Sequence, residues 1–117
     1  MGKDDSVRLR HMLDAAQEVC SFVADRERTH LDIDRQLTLA IIKDIEIIGE
    51  AASRVSAEGR SACPGIPWQD CIAMRNRLIH GYFDIDLDIV WSTVRQELPP
   101  LIAELERILT SMPLNQQ

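Results

Sequence analysis

One segment constrains the fold more than any other: DRQLTLAIIKDIEIIGEAASRV, Asp34 to Val55. Its apolar residues are Leu37, Leu39, Ala40, Ile41, Ile42, Ile45, Ile47, Ile48, Ala51, Ala52 and Val55. Steps of three and four residues recur throughout, as on an α-helix. The isoleucines also suit a β-strand, but the run is far longer than a strand and keeps helical spacing. The segment therefore predicts a helix opened by Asp32 or Asp34 and running to about Ala57. Its apolar residues cover more than one stripe. Such a helix is either central in a bundle or faces a second protein. Gly49 lies in its middle, where glycine costs about 1 kcal/mol relative to alanine. Either another backbone approaches closely there, or the cost is tolerated.

Three more helices follow from the same reasoning. Val7 to Val23 places Leu9, Met12, Leu13, Ala16, Val19, Cys20 and Val23 on one face, with Asp5 and Ser6 as caps before it. Glu58 to Pro67 reads as a loop from its glycines and prolines. Pro67 then opens a third helix through Trp68, Cys71, Ile72, Arg75, Leu78 and Ile79, which Gly81 should stop. Asp84 to Asp88 supplies caps for a fourth, striped by Leu87, Val90, Trp91, Val94, Leu98, Leu101, Ile102, Leu105, Ile108 and Leu109. Pro99 and Pro100 should kink or break it near Glu97–Leu98. The tail from Met112 should fray. The expectation is an all-α chain, a single domain over residues 1–117, built as a four- or five-helix bundle.

Composition limits the function. The net charge of −6 argues against a broad nucleic-acid surface, though not against a small site for one phosphate. Three cysteines, with no CxxC pair and no signal peptide, predict reduced thiols in the cytoplasm. The apolar runs are too short for a membrane span.

The residues RNRLIHGYF, Arg75 to Phe83, carry the chemistry. At 100° per residue, Trp68, Cys71, Ile72, Leu78 and Ile79 form an apolar arc with Arg75 in its middle. A guanidinium there needs an anionic partner or a wet cleft, because an unpaired buried charge is costly. Glu46 and Glu50, one turn apart on the second helix, could pair with Arg75 or with a basic residue of a partner, although a solvated strip is the simpler reading. The alternative for Arg75 itself is a snorkelling or structurally paired side chain. Asn76 and His80 share a face, so the amide can orient the imidazole. His80 also sits where a helix C-terminus favours a cation, which is a common structural use of histidine. Arg75 and His80 diverge by about 140° on an ideal helix. One chain does not bring both onto one phosphate, whereas two symmetry-related helices across a dimer could.

The block Arg75-Asn-Arg-Leu-Ile-His80-Gly-Tyr82 resembles the signature of the HEPN ribonucleases, and in its extended form that of the HepT toxins. IIGEAASRVS, IPWQDCIAMRNRLIHGYFDID and ELPPLI are similar to that family across most of the chain. The resemblance implies a HEPN-type antiparallel bundle and a homodimer with facing motif helices. It implies metal-independent RNA cleavage without a cofactor, with Arg75, Asn76 and His80 as catalytic residues. It further implies the toxin half of a type VII toxin–antitoxin system. Its partner would be a cognate MNT-type nucleotidyltransferase antitoxin, similar to MntA, that AMPylates Tyr82.

Other readings of these residues remain open. A HEPN-type module could hold a nucleotide phosphate without cleaving anything, partnering a nucleotidyltransferase. His11, His30 and His80 show no metal-ligand spacing, and His30 with Asp32 and Asp34 is better read as helix capping. Cys71 lies on an apolar stripe, a core position rather than a nucleophile. Tyr82 on its own could simply pack its ring beneath the fourth helix.

Overall fold

The computed structural model describes residues 1–81 and 84–112. Every regular element among the described residues is a helix, and none of them forms a strand. Four longer helices build the bundle: α1 (Lys3–Val23), α3 (Arg35–Ser53), α5 (Trp68–His80) and α7 (Leu98–Ser111). Three short ones connect them: α2 (His30–Ile33), α4 (Ala57–Ala62) and α6 (Leu87–Ser92). A π-helical turn, Thr93–Glu97, leads from α6 into α7. The all-α expectation holds, while nothing in a single chain tests the homodimer. The tail beyond Met112 and the Tyr82–Phe83 pair lie outside the described residues.

The core follows the apolar periodicity. Leu9, Met12, Ala16 and Val19 of α1, Ile41 and Ala52 of α3 and Leu105 of α7 are fully buried. α3 is central, as its breadth of apolar residues predicts. It packs along α1 on one side and α5 on the other, and α7 covers the far side of α1. The second stripe of α3 is left at the surface: Leu39 and Ile47 are 37% and 36% exposed.

Several boundaries differ from the sequence expectation. α1 begins at Lys3, four residues early, and Gly2 occupies the cap position. Asp5 and Ser6 are therefore not caps of α1. They are buried inside it. Asp5 reaches across to accept from Ser56 N at 2.9 Å and from Ser56 Oγ at 2.5 Å. Ser56 in turn caps α4 by accepting from Gly59 N. α3 stops at Ser53 rather than near Ala57, and the first half of the expected Glu58–Pro67 loop is α4. A six-residue helix with one buried residue has no stripe to detect. Only its serine cap marks it in the sequence.

The remaining punctuation falls where the chemistry demands it. Asp34 caps α3, accepting from Leu37 N at 3.0 Å. Asp86 caps α6, accepting from Asp88 N and Ile89 N. Gly81 ends α5 at φ −117°, ψ 36°, so no left-handed turn is used there. Pro99 and Pro100 cannot donate to carbonyls one turn back. The preceding turn widens into the π form, and the helix resumes at Leu98. Arg95, on this turn, stacks over Trp91 at 4.7 Å. It donates to Val23 O and Arg26 O, closing the exposed carbonyl end of α1.

Candidate active site

The site is organised by a close contact between α3 and α5. A Cβ at Gly49 would lie 2.7 Å from the Cys71 carbonyl oxygen and would overlap the Arg75 side chain. The mid-helix glycine thus lets α5 approach and fixes where Arg75 leaves its backbone. At the foot of α5, Trp68 Nε1 donates to Cys63 O at 3.0 Å, which locks the helix start. Cys71, next to the contact, is inert as a nucleophile. Burial first, then the nearby Asp70 and Glu97 carboxylates, push its thiol up to about 12. Cys20, Cys63 and Cys71 are all free thiols.

Arg75 has the partner that its position requires. Its Nη2 forms an ion pair with Glu50 Oε2 at 3.2 Å and donates to Ser53 Oγ at 3.4 Å. Its Nε is buried and has no hydrogen-bond partner. Glu50 is shared, because its Oε1 also accepts from Arg54 Nε at 3.0 Å. Glu50 is half-exposed, so this pairing adds at most about 1 kcal/mol to stability. Of the readings open for Glu50, the pair with Arg75 is the one that forms within this chain, at a half-exposed position. The guanidinium is held in place yet has donor capacity to spare.

Arg75 opens into a cleft of about 370 Å³ between α1, α3 and α5. Arg8 and His11 come from α1, Lys43, Glu46 and Glu50 from α3, Arg54 from the cap that follows α3, and Ile79 joins Arg75 from α5. Four Lys or Arg side chains face two carboxylates, within a chain of net charge −6. In the sequence nothing strong singles out Arg8, Lys43 or Arg54, and His11 is weighed there only as a metal ligand. A faint signal exists: Lys43, Glu46, Ile47, Glu50 and Arg54 recur at helical spacing along one edge of α3 and its cap. Ile79, expected in the core, is instead 46% exposed at this cleft.

His80 is elsewhere. It is the last residue of α5, is exposed, and lines a separate cleft of about 390 Å³ with Arg77, Asp84 and Asp86. The divergence expected on one helix is thus observed: a single chain does not bring Arg75 and His80 into one cleft. Asn76 is exposed on the same side as His80. Among the described residues the two form no hydrogen bond, so the amide does not fix the imidazole here. Tyr82 lies outside the described residues. His30 takes no part: its Nδ1 accepts from Glu27 N at 2.8 Å within a turn. No helix among the described residues is long and apolar enough to cross a bilayer.

Comparison with known proteins places this architecture. The family model "Ribonuclease HepT-like" matches residues 12–108, a span that contains α3, α5 and the whole of the RNRLIH block. A protein of Methanocaldococcus jannaschii is 32% identical over 104 residues, covering 89% of this chain and 95% of its own, and carries the name "Putative RNase". A protein of the same name from Caldanaerobacter subterraneus is 34% identical over 105 residues, covering 86% of this chain and 90% of its own. "Probable ribonuclease HepT" of Thermococcus cleftensis is 36% identical over 75 residues, covering 64% of this chain and 68% of its own. No solved structure matches the chain. With a family model spanning most of its length, and full-length relatives that share its size, this helical chain belongs to the HepT-like ribonuclease family.

Proposed function

We propose that the protein is a metal-independent endoribonuclease that acts as a homodimer, with Arg75, Asn76 and His80 as its catalytic residues. The observation that carries this reading is Arg75: a guanidinium anchored at the floor of a cation-lined cleft, with one buried nitrogen unpartnered. RNA brings its own nucleophile, the 2′-hydroxyl. His80 of one protomer removes its proton as the oxygen attacks the adjacent phosphorus. Arg75 holds the phosphoryl oxygens as negative charge grows on them. The bond from phosphorus to the 5′ oxygen breaks, and a protonated second His80 supplies the proton that this oxygen takes up. The products are a 2′,3′-cyclic phosphate and a 5′-hydroxyl end. Asn76 orients the imidazole once substrate is bound.

Dimerisation supplies the second histidine and closes the distance that one chain leaves open. Ile47 and Ile79, exposed at the Arg75 cleft, are suitable contact residues for α5 facing its symmetry mate. Analytical sedimentation at micromolar concentration should give a dimer, and a monomer would remove the mechanism's second acid–base group. The purified protein should cleave single-stranded RNA in EDTA. Loss of activity in EDTA that added metal restores would overturn the metal-independent scheme.

The same reading gives the protein a cytoplasmic role as the toxin of a type VII toxin–antitoxin system. A cognate MNT-type nucleotidyltransferase would transfer AMP from ATP to the Tyr82 hydroxyl, releasing pyrophosphate. The new phosphodiester next to the catalytic groups would pair with Arg75 or protonated His80 and exclude an RNA phosphate. Coexpression with such an enzyme should add AMP at Tyr82 and silence cleavage, as read by intact mass and peptide mapping. Tyr82→Phe should keep cleaving and escape silencing. A silenced protein without an adduct on Tyr82 would mean that the antitoxin acts by binding alone.

A further inference from the structure

The Arg75 cleft is longer than one phosphate needs. α1 and α3 run antiparallel: Asp5 meets Ser56 at one end of the contact, and Glu18 lies against Asp44 at the other. This pairing puts Arg8 beside the Arg54 end of the cleft, and Lys43 lies at the opposite end. From Lys43 to Arg54 is eleven residues of helix, or about 16 Å at 1.5 Å per residue. Arg75 stands between them. A lone phosphate or sulfate would occupy only a fraction of such a row.

The end cations are also uncommitted. Arg26 and Arg28 are each paired with carboxylates, as is Arg107. Arg60 and Arg95 serve backbone carbonyls. Arg8 and Lys43 have no ion pair and no hydrogen bond among the described residues, and both line the cleft wall. Neither belongs to the RNRLIH block nor to the helix that carries it.

From this geometry we infer that Arg8 and Lys43 are substrate-positioning residues, which hold the RNA backbone on either side of the phosphate bound by Arg75. The inference rests on the ribonuclease reading for its substrate class. Its contacts are to phosphates, so it gives affinity and register along the strand but no base specificity. It also shows how an acidic protein can hold a polyanion: four of its Lys and Arg side chains gather in one cleft with only two carboxylates among them.

The test uses the full-length His80→Ala protein, so that bound RNA is not cut. Anisotropy of a fluorescein-labelled single-stranded oligoribonucleotide is measured across about 50 to about 200 mM salt, the range over which counterion release is steep. Adding Arg8→Gln or Lys43→Ala should weaken binding about fivefold each and lower the salt slope by about 0.7 for each phosphate no longer neutralised. Arg8→Lys should retain most of the affinity. Arg10→Ala removes an exposed α1 charge that does not line the cleft, and should stay within about twofold of the His80→Ala protein. Unchanged affinity and slope in both cleft variants, or an equal loss in Arg10→Ala, would overturn the inference. The ribonuclease reading is tested separately by cleavage with the wild-type protein. Selective binding losses without any wild-type cleavage would leave the row standing and remove the nuclease. Wild-type cleavage with KM untouched in Arg8→Gln and Lys43→Ala would do the reverse.

Discussion

The middle and the C-terminal end of α5 solve opposite problems. At Arg75 the fold does everything in advance: Gly49 admits the helix, Glu50 and Ser53 hold the guanidinium, and the cleft walls are already cationic. Five residues later, His80 is exposed at the helix end, and no hydrogen bond among the described residues restrains it. One residue is preorganised by its own chain, while the other waits for something outside it. The difference separates tasks. A phosphate clamp must be rigid before substrate arrives, because reorganising charge during reaction is costly. A proton-transfer group needs only to reach its proton in the assembled complex.

The largest effect should come from removing either group, with different side effects. His80→Ala should lower RNA cleavage by about 10²–10⁴-fold, with the melting temperature unchanged. Arg75→Ala should lower cleavage comparably and also shift the melting curve, because Glu50 loses one of its two arginine partners and the packing of the Arg75 stem over Gly49 disappears. Single-turnover cleavage and calorimetry on both variants would check this. Equal thermal behaviour would break the contrast between a built and an unbuilt position. If the two residues act on one phosphate across a dimer, mixing the two inactive variants offers a sharper version. Heterodimers cannot restore a site that requires both copies of each residue, but they can restore one that needs a single Arg75 and a single His80.

A smaller effect should follow from Gly49→Ala. The added methyl meets the Cys71 carbonyl and the Arg75 side chain, so α3 and α5 must separate. Overpacking of this kind costs about 1–3 kcal/mol, even though alanine is the better helix former. Arg75 sits at the contact and His80 more than a turn beyond it, so cleavage should fall mainly through Arg75. The His80 ring resonances in a proton NMR spectrum should change little from those of the wild type. A variant more stable than the wild type and fully active would show that the close approach is not needed.

The legibility of the molecule divides along the same line. Long helices with full stripes were readable, and so were their strong signals: Asp34 and Asp86 as caps, Gly81 as a stop, and the proline pair as an interruption. The glycine in α3 was readable as either a close approach or a tolerated cost, and its partner was not readable. What escaped depends on tertiary contact. Asp5 looks like a cap for the helix that contains it, but its partner is 51 residues away. Arg8 and Lys43 look like solvated surface until α1 and α3 are set antiparallel. The motif names Arg75 and His80, and spacing alone shows that they diverge. Where His80 finds its phosphate is a property of an assembly, which periodicity in one chain does not encode.

The smallest effect lies beneath the cleft wall, at Asp44, next in sequence to Lys43. Asp44 is 5% exposed and one of its carboxylate oxygens has no partner. Burial, and then the Glu18 carboxyl beside it on α1, push its carboxyl up to about 7. An unfolded aspartate titrates near about 3.9. Between those values the folded chain binds more protons than the unfolded one, so this group's contribution to stability falls as pH rises through the window. Below about pH 4 both states are protonated and the contribution is at its most favourable. Above about pH 7 the full penalty of a buried charge facing Glu18 applies. Asp44→Asn keeps the shape and removes the charge. It should raise the melting temperature clearly at pH 8 and much less at pH 5. Because Asp44 supports the α1–α3 contact and not α5, the pH profile of RNA cleavage should shift far less than the stability profile. A melting shift of the same size at both pH values would mean that Asp44 is not protonated by its surroundings. A large displacement of the activity profile would mean that the wall and the catalytic helix are coupled more tightly than the middle and the end of α5 are to each other.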